Sequence, residues 1–404
     1  MIAASDNQSK QGKSQGRPAQ KTLDILKRLI AFQTVSRDSN IDLINWVQEY
    51  LQDAGIESHT TKGEHEGKAN LFATIGSGEG GIVLSGHTDV VPVDDQEWDT
   101  DPFDMTEKDD GLLYGRGTCD MKGFIAVALS KIDALKQAAS QGAPIHLAFS
   151  FDEEVGCLGV RHLIEELGKR KIKPTGCIIG EPTSMKTVVG HKSGSVYTCN
   201  VTGREIHSSL EPQGVNSVEY SARIILKIAE IRERLRNNER RNEGFEVPYT
   251  TLQTGVINGG HASNIIPGHA SFRFDIRALP WTDPEELVAE VREYCETKLI
   301  PEMRKVAPEA NIEITKKGHV PGFVIADDAP LTRYVQRLNR SNSPPGLVTF
   351  GTEGGLFQNA GVPCVICGPG SISQAHKPNE FVALSQLAQC EKFMDRLAQE
   401  PFTG

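Results

Sequence analysis

The sequence predicts an α/β protein whose larger part is a doubly wound, mostly parallel sheet, with a smaller α+β unit inserted into it. Three observations predict it. Up to about residue 189, short apolar runs alternate with stretches of helical periodicity, as strands joined by crossover helices do. From about Gly190 the runs alternate strictly instead, apolar with polar, the pattern of a sheet with one exposed face. Near the C-terminus the unbroken apolar run PCVICG returns to the first style. At 404 residues the chain exceeds what one hydrophobic core usually serves. The expected division is a polar tail over 1–20, a main domain over 21–189 and 318–404, and an inserted domain over 190–317.

TLDILKRLIAF and IDLINWVQEYLQDAG carry apolar residues at helical spacing, the second ending at Gly55. NLFATI and GIVLSG read as strands, Lys122 to Gln141 as a helix and IHLAFSF as a strand. A helix from about Leu158 to Leu167 and the strand CIIG complete this half. In the inserted part, SVYTCNVTG is a strand and Val218 to Arg236 a helix. HASFRFDIRA places Phe272, Phe274 and Ile276 on one face. DPEELVAEVREYCETKL opens a helix with Asp283 and Glu286 at capping-box spacing and Pro at its first position. EANIEITKKG is the last strand of the set. No internal repeat is present.

With 38% apolar and 24% charged residues the chain is of the soluble globular kind. A net charge of −10 argues against nucleic acid or an anionic membrane as partner. The eight cysteines are scattered, which suits a reducing compartment better than a disulfide framework. Residues 1–20 are polar and hold no apolar core of a secretory signal, so they read as a flexible tail. No stretch approaches the roughly 18 apolar residues of a membrane span. The expected location is the cytoplasm.

The chemistry gathers at strand ends. IHLAFSF runs into three consecutive acids, Asp152, Glu153 and Glu154. Charges about 4 Å apart at a protein edge repel by roughly 4 kcal/mol per pair, so such a run at a buried strand mouth requires positive charge nearby. GIVLSGHTD puts His87 and Asp89 past another strand, RGTCDMKG puts Asp120 in a Gly-flanked loop, CIIGEPT supplies Glu181 and PCVICGPGSISQAH supplies His376. In an open parallel sheet all of these can meet at the carboxyl edge. Imidazole with carboxylate suits Zn²⁺, Co²⁺ or Mn²⁺, and two ions sharing one carboxylate balance the charge better than one. Neighbouring residues of an extended chain point oppositely, so one of Glu153 and Glu154 should bind metal and the other face the substrate as a base.

SGHTDVVP, YGRGTCDMKG, SFDEEVGCLG, GEPT and GPGSISQAH, in this order, resemble the motif series of the M20 metallopeptidase and deacylase family, from about Thr22 to the C-terminus. The resemblance implies a zinc-exopeptidase-like catalytic domain with two divalent ions, zinc or cobalt. It also implies a ferredoxin-like inserted domain that serves as lid and makes a homodimer. Carried over, it gives His87, Asp120 and Glu181 to one metal and Asp120, Glu154 and His376 to the other. Glu153 becomes the general base, Asp89 orients His87, and the Asp120–Met121 peptide is cis. His207 would reach the active site of a second subunit to steady the oxyanion, and Asn264 and Arg277 would meet the substrate's polar groups and carboxylate. Within the family, HTDVVPVDDQEWDTDPF, TEGG at 352–355 and GPGSISQAHKPNEF are most similar to the branch that removes acetyl from N2-acetylornithine, yielding ornithine and acetate in arginine synthesis. Ornithine's cationic side chain calls for an acid in the pocket, and Glu353 is the candidate. The rivals are hydrolysis of succinyl-diaminopimelate, acetylcitrulline or a dipeptide, or a non-catalytic metal-binding relic.

Simpler readings account for other features. Arg277 has Asp275 on its own strand face as a ready partner, and Asn264 can cap a turn before Pro267. His59, His65, His146 and His162 are read as ordinary surface or core residues. Cys364 and Cys367 form C-x-x-C inside an apolar strand and are core. GSGEGG at 76–81 joins two strands and is a turn rather than a dinucleotide loop. RERLRNNERR is a solvated helix face, and no G-x-S-x-G supports a serine hydrolase.

Overall fold

A computed structural model describes residues 16–63, 66–140 and 142–402; the expected tail over 1–15 and His65 lie outside them. The chain divides into two compact units. One comprises the described residues up to Gly190, Ile325–Gly346 and the residues from Thr352 onward; the other comprises His191–Val324 and Leu347–Gly351. The second unit thus reaches beyond 317, because the strand Asn311–Val320 continues its pairing to Val320.

In the first unit the spatial order of the main strands is Ser58–Lys62, Ala69–Ile75, Ile145–Ser150, Ile82–His87, Gly176–Pro182, Cys364–Gly368 and Val188–His191. The four from Ile145–Ser150 to Cys364–Gly368 run parallel, with antiparallel strands on both sides. Apolar runs of this kind are buried on both faces, and Ile82–His87, Ile145–Ser150 and Gly176–Pro182 are buried at every residue. Their parallel course brings His87, the Asp152–Glu154 run and Glu181 to one edge.

The helix Lys122–Ser130 is buried from Lys122 to Leu129, as an all-round apolar helix must be. It stops at Ser130 and restarts as Ile132–Ala139, where the sequence suggests one helix to Gln141. The Ser130 hydroxyl donates to the Val127 carbonyl at 2.8 Å, a back-bond that competes with the helix ladder and bends it. Lys122 lies inside this helix and donates to the Leu29 and Phe32 carbonyls at 3.0 and 2.8 Å, capping the end of helix Gln20–Ala31. Burial pushes its ammonium down to about 7. Residues 16–19, grouped with the tail by composition, are held: Arg17 Nη2 meets Glu107 at 2.7 Å, and the Ala19 N–H donates to the buried Glu391 at 2.9 Å.

The second unit is a four-stranded antiparallel sheet in the order Thr251–Gly259, His269–Arg277, Gly194–Thr202, Asn311–Val320. With helices Ser217–Asn238 and Pro284–Tyr294 the chain order is βαββαβ, the ferredoxin-like arrangement. Asp283 accepts from the Glu285 N–H at 2.8 Å at the head of the second helix, with Pro284 at its first position. Phe272, Phe274 and Ile276 are buried in this unit's own core.

Gly180 lies where the Phe124 ring rests on the strand Gly176–Pro182, and a Cβ there would stand 2.0 Å from Phe124 Cγ. Gly180→Ala is expected to destabilise the protein by about 1–3 kcal/mol through overpacking. Urea unfolding of Gly180→Ala, Phe124→Leu and the double variant checks this: the pair should cost less than the two singles summed.

Candidate metal centre

His87 is the last residue of a buried strand and is itself buried. Its Nε2 lies 3.0 Å from Asp120 Oδ1 and 3.7 Å from Glu181 Oε1. On the other side, His376 Nε2 lies 3.2 Å from Asp120 Oδ2 and 2.9 Å from Glu154 Oε2. Asp120 therefore offers one oxygen to each of two triads, His87–Asp120–Glu181 and Asp120–Glu154–His376. Within each triad the donor atoms lie within 4.8 Å of one another. The Asp120–Met121 peptide is cis. Asp152, Cys157 and His376 adopt left-handed backbone conformations, which non-glycine residues rarely do.

The charge of the triple acid is met residue by residue. Asp152 accepts from Lys68 Nζ at 2.7 Å, and the same ammonium donates to the Ser36 carbonyl at 2.7 Å. Glu154 meets His376. Glu153 has its Oε1 3.2 Å from the buried Cys157 thiol. Asp89 takes the backbone of the run in hand: Oδ1 accepts from the Glu153 N–H at 3.0 Å, and Oδ2 from the Glu154 N–H at 3.3 Å and Ser36 Oγ at 2.7 Å. His87 Nδ1 is 2.9 Å from the Asp89 main-chain oxygen and 3.6 Å from its carboxylate. The ring is thus oriented chiefly by that carbonyl, while the side chain holds the acid turn.

Protonation follows from this crowding. Burial, then repulsion from Asp120, pushes Glu181 well above the ordinary carboxyl range and Glu154 up to about 7. Burial likewise lifts Glu153 well up, with Glu154, Glu353 and Asp120 adding to it and His87 opposing. Burial acts to raise Asp120 too, yet hydrogen bonds from His376 and His87 hold it low. His376 is raised to about 10 by its bonds to Asp120 and Glu154. The three glutamates and both imidazoles are driven to hold protons around an ionised Asp120, where divalent cations would serve. Within this cluster the buried Glu154 Oε1 has no hydrogen-bond partner among the described residues, a costly state that coordination would relieve. The donors are imidazole and carboxylate without thiolate, a set that fits divalent cations at the two triads.

Residues 83–400 match the family described as Peptidase family M20/M25/M40. The chain belongs to that family. It is a metal-dependent amidohydrolase of the M20 kind. Among curated relatives, the acetylornithine deacetylase of Aliivibrio fischeri is 35% identical over 381 residues, 93% of this chain and 97% of that protein. That of Proteus mirabilis is 34% identical over 387 residues, 93% of this chain and 96% of its own length. Among solved structures, the aminopeptidase PepT of Bacillus cereus superposes with a TM-score of 0.74 at 20% identity, covering 95% of this chain and 98% of that one. A dinuclear metal-binding M20 peptidase of Bacillus subtilis superposes at 0.62 and 14% identity, covering 94% and 97%. These likenesses establish the M20 fold.

Glu353, expected from the sequence to face a substrate ammonium, is 1% exposed. Its Oε2 accepts from Ser85 at 3.0 Å and its Oε1 from Ser150, so both oxygens are already engaged inside the M20 catalytic unit. His207, Asn264 and Arg277 belong to the second unit. His207 is exposed, with Nδ1 2.8 Å from Ser209 Oγ. The Asn264 carbonyl accepts from the Ser208 N–H at 2.9 Å, and Arg277 Nε meets Asp275 at 3.0 Å. Lys68 and Ser36, which secure the acid run, carry no motif signal; Lys68 lies 84 residues before Asp152.

Lys68→Met is expected to destabilise the protein by about 3–5 kcal/mol, because it strips the cation from a nearly buried pair. Lys68→Met with Asp152→Asn should recover much of that loss. Chemical denaturation of both variants is the check.

Proposed function

We propose that the chain removes the acetyl group from N2-acetylornithine, giving ornithine and acetate, in a reducing, cytoplasmic setting. The observation that carries the hydrolytic part of this reading is Asp120, which turns one oxygen to each triad. Likeness over nearly the full length to relatives named acetylornithine deacetylase supports the substrate. The eight thiols, all buried and unpaired, suit the location, and no helix among the described residues is long and apolar enough to cross a membrane.

His87, Asp120 and Glu181 would hold one divalent cation, and Asp120, Glu154 and His376 the other, zinc or cobalt by donor type. Bound there, the pair would acidify a water and polarise the acetyl carbonyl. Glu153 takes the proton of the water that attacks this carbonyl. The Cys157 thiol lies against Oε1, leaving Oε2 as the proton's place. As the C–N bond breaks, Glu153 gives the proton to the departing amine. Burial shifts its carboxyl upward, the direction that suits a group which must both accept and release a proton. Asp89 keeps Glu153 and Glu154 in place through their N–H groups. His207, supplied by a second copy of the chain through the 190–317 region, would donate to the oxyanion. Arg277 would turn from Asp275 to the substrate carboxylate, with Asn264 at its polar groups.

Three measurements test this. In a panel of N2-acetylornithine, acetylcitrulline, succinyl-diaminopimelate and dipeptides, kcat/KM should be highest for N2-acetylornithine; a faster rival overturns the substrate assignment. Glu153→Gln should lower kcat by about 10²–10⁴-fold while both metal equivalents stay bound. Chelation should abolish activity and added zinc or cobalt restore it.

A further inference from the structure

Arg116 and Glu380 form a buried ion pair, Nη1 to Oε2 at 2.8 Å, with both side chains 1% exposed. Burying such a pair costs more than mutual attraction returns unless further hydrogen bonds satisfy it. Here most of those bonds lead to the loops that present Asp120 and His376, while Nη2 also reaches the Pro92 carbonyl at 3.5 Å and the buried Nε has no partner among the described residues. Glu380 Oε1 accepts from the N–H groups of Gly117, Cys119 and Asp120 at 3.0, 2.9 and 3.1 Å. The Gly115 N–H donates to the Glu380 main-chain oxygen at 3.0 Å. From the guanidinium, Nη1 also donates to the Lys377 carbonyl at 3.2 Å and Nη2 to Gln96 Oε1 at 2.5 Å. Gln96 Nε2 in turn reaches the His376 carbonyl at 3.3 Å.

The loops of Asp120 and His376 are far apart in sequence; they flank the short paired strands Leu112–Tyr114 and Phe381–Ala383, and beyond that ladder their side chains must meet within about 3 Å. The two imidazoles differ in support. His87 ends a fully buried strand, whereas the His376 side chain is 53% exposed and sits in a left-handed stretch of loop. The backbone of His376 and Lys377 is gripped by Gln96 and Arg116.

We propose that the Arg116–Glu380 pair, with Gln96, is a positioning device that sets the His376 loop against the Asp120 loop and thereby governs cation affinity at the Asp120–Glu154–His376 site. This rests on the two-cation reading above. Arg116→Lys keeps a charge beside Glu380 but removes the planar fork that reaches Lys377 and Gln96 together. Gln96→Leu cuts the link to His376 and leaves the ion pair whole.

The experiment is zinc titration of the full-length, metal-stripped protein against a chromophoric chelator, with thermal melting of the metal-free chain alongside. The wild type should bind two equivalents tightly. Each variant should keep one tight equivalent and bind the second about 10–100-fold more weakly, the scale of losing a partner behind a ligand. Activity of the variants should be deficient at two equivalents of zinc and recover in excess zinc, with KM for N2-acetylornithine unchanged. Two full-affinity equivalents in folded Gln96→Leu overturn the proposal, as does equal weakening of both sites in step with a fall in melting temperature. If Arg116→Lys fails to fold, Gln96→Leu decides alone. A wild type that binds fewer than two equivalents overturns the two-cation reading itself, a result separate from failure of the variants.

Discussion

Repulsion among the carboxylates at the carboxyl edge of the sheet is the condition that the surrounding structure has to satisfy. Asp89, Asp120, Glu153, Glu154 and Glu181 come together there with His87 and His376 among them. The polypeptide by itself answers with protons: Glu154 and Glu181 are driven up, and both imidazoles are raised against their neighbours. A pair of cations would replace those protons with fixed charge. The cluster is not free to relax outward, since His87 and Glu181 belong to strands buried throughout. The flanking residues can be understood as restraints on this crowd. Lys68 takes Asp152, Asp89 takes the backbone of the acid run, and Arg116 with Glu380 takes the two loops.

That arrangement requires a stiff floor. The parallel strands Ile145–Ser150, Ile82–His87 and Gly176–Pro182 lie side by side, so their ends deliver candidate ligands from three separate stretches of sequence to one place. The buried helix Lys122–Ser130 begins two residues after Asp120 and packs its Phe124 onto Gly180, the residue before Glu181. One close contact thereby ties the loop of the shared carboxylate to the strand of another proposed ligand. Lys122, from the same turn, anchors this helix to the end of Gln20–Ala31.

Legibility in the sequence follows the range of each interaction. Strands and helices set by local apolar periodicity are readable, and so is the mixed α/β class, because burial on two faces leaves unbroken apolar runs. The break at Lys131 is not, since it depends on one serine hydroxyl turning back onto Val127. Ligand candidates stand out because each short motif ends a strand and carries a metal-binding residue type. Their partners do not. Lys68 and Asp152 are joined across 84 residues, and Arg116 and Glu380 across 264. Nothing in GKAN or KPNE signals either pairing. Glu353 shows the same limit from the other side. TEGG suggests an acid available to a ligand, but Ser85 and Ser150, each on a different strand, already occupy it.

Asp89 bears on how two adjacent glutamates can divide their labour. Chemically Glu153 and Glu154 are identical, and both are pushed in the same direction by burial, so acidity alone does not assign their roles. Backbone direction does. Asp89 fixes both N–H groups from one side, and the turn that opens at Glu153, whose carbonyl accepts from the Gly156 and Cys157 N–H groups, sends the two side chains apart where the sequence suggests an extended chain. One reaches His376 and the other stops at the Cys157 thiol. The proposed ligand and the proposed base are thus distinguished by where a third carboxylate holds the main chain. An acid placed there satisfies two N–H groups at once while its own charge is partly offset by Ser36 and His87, so it steadies the run without adding a fully exposed negative charge to the cluster.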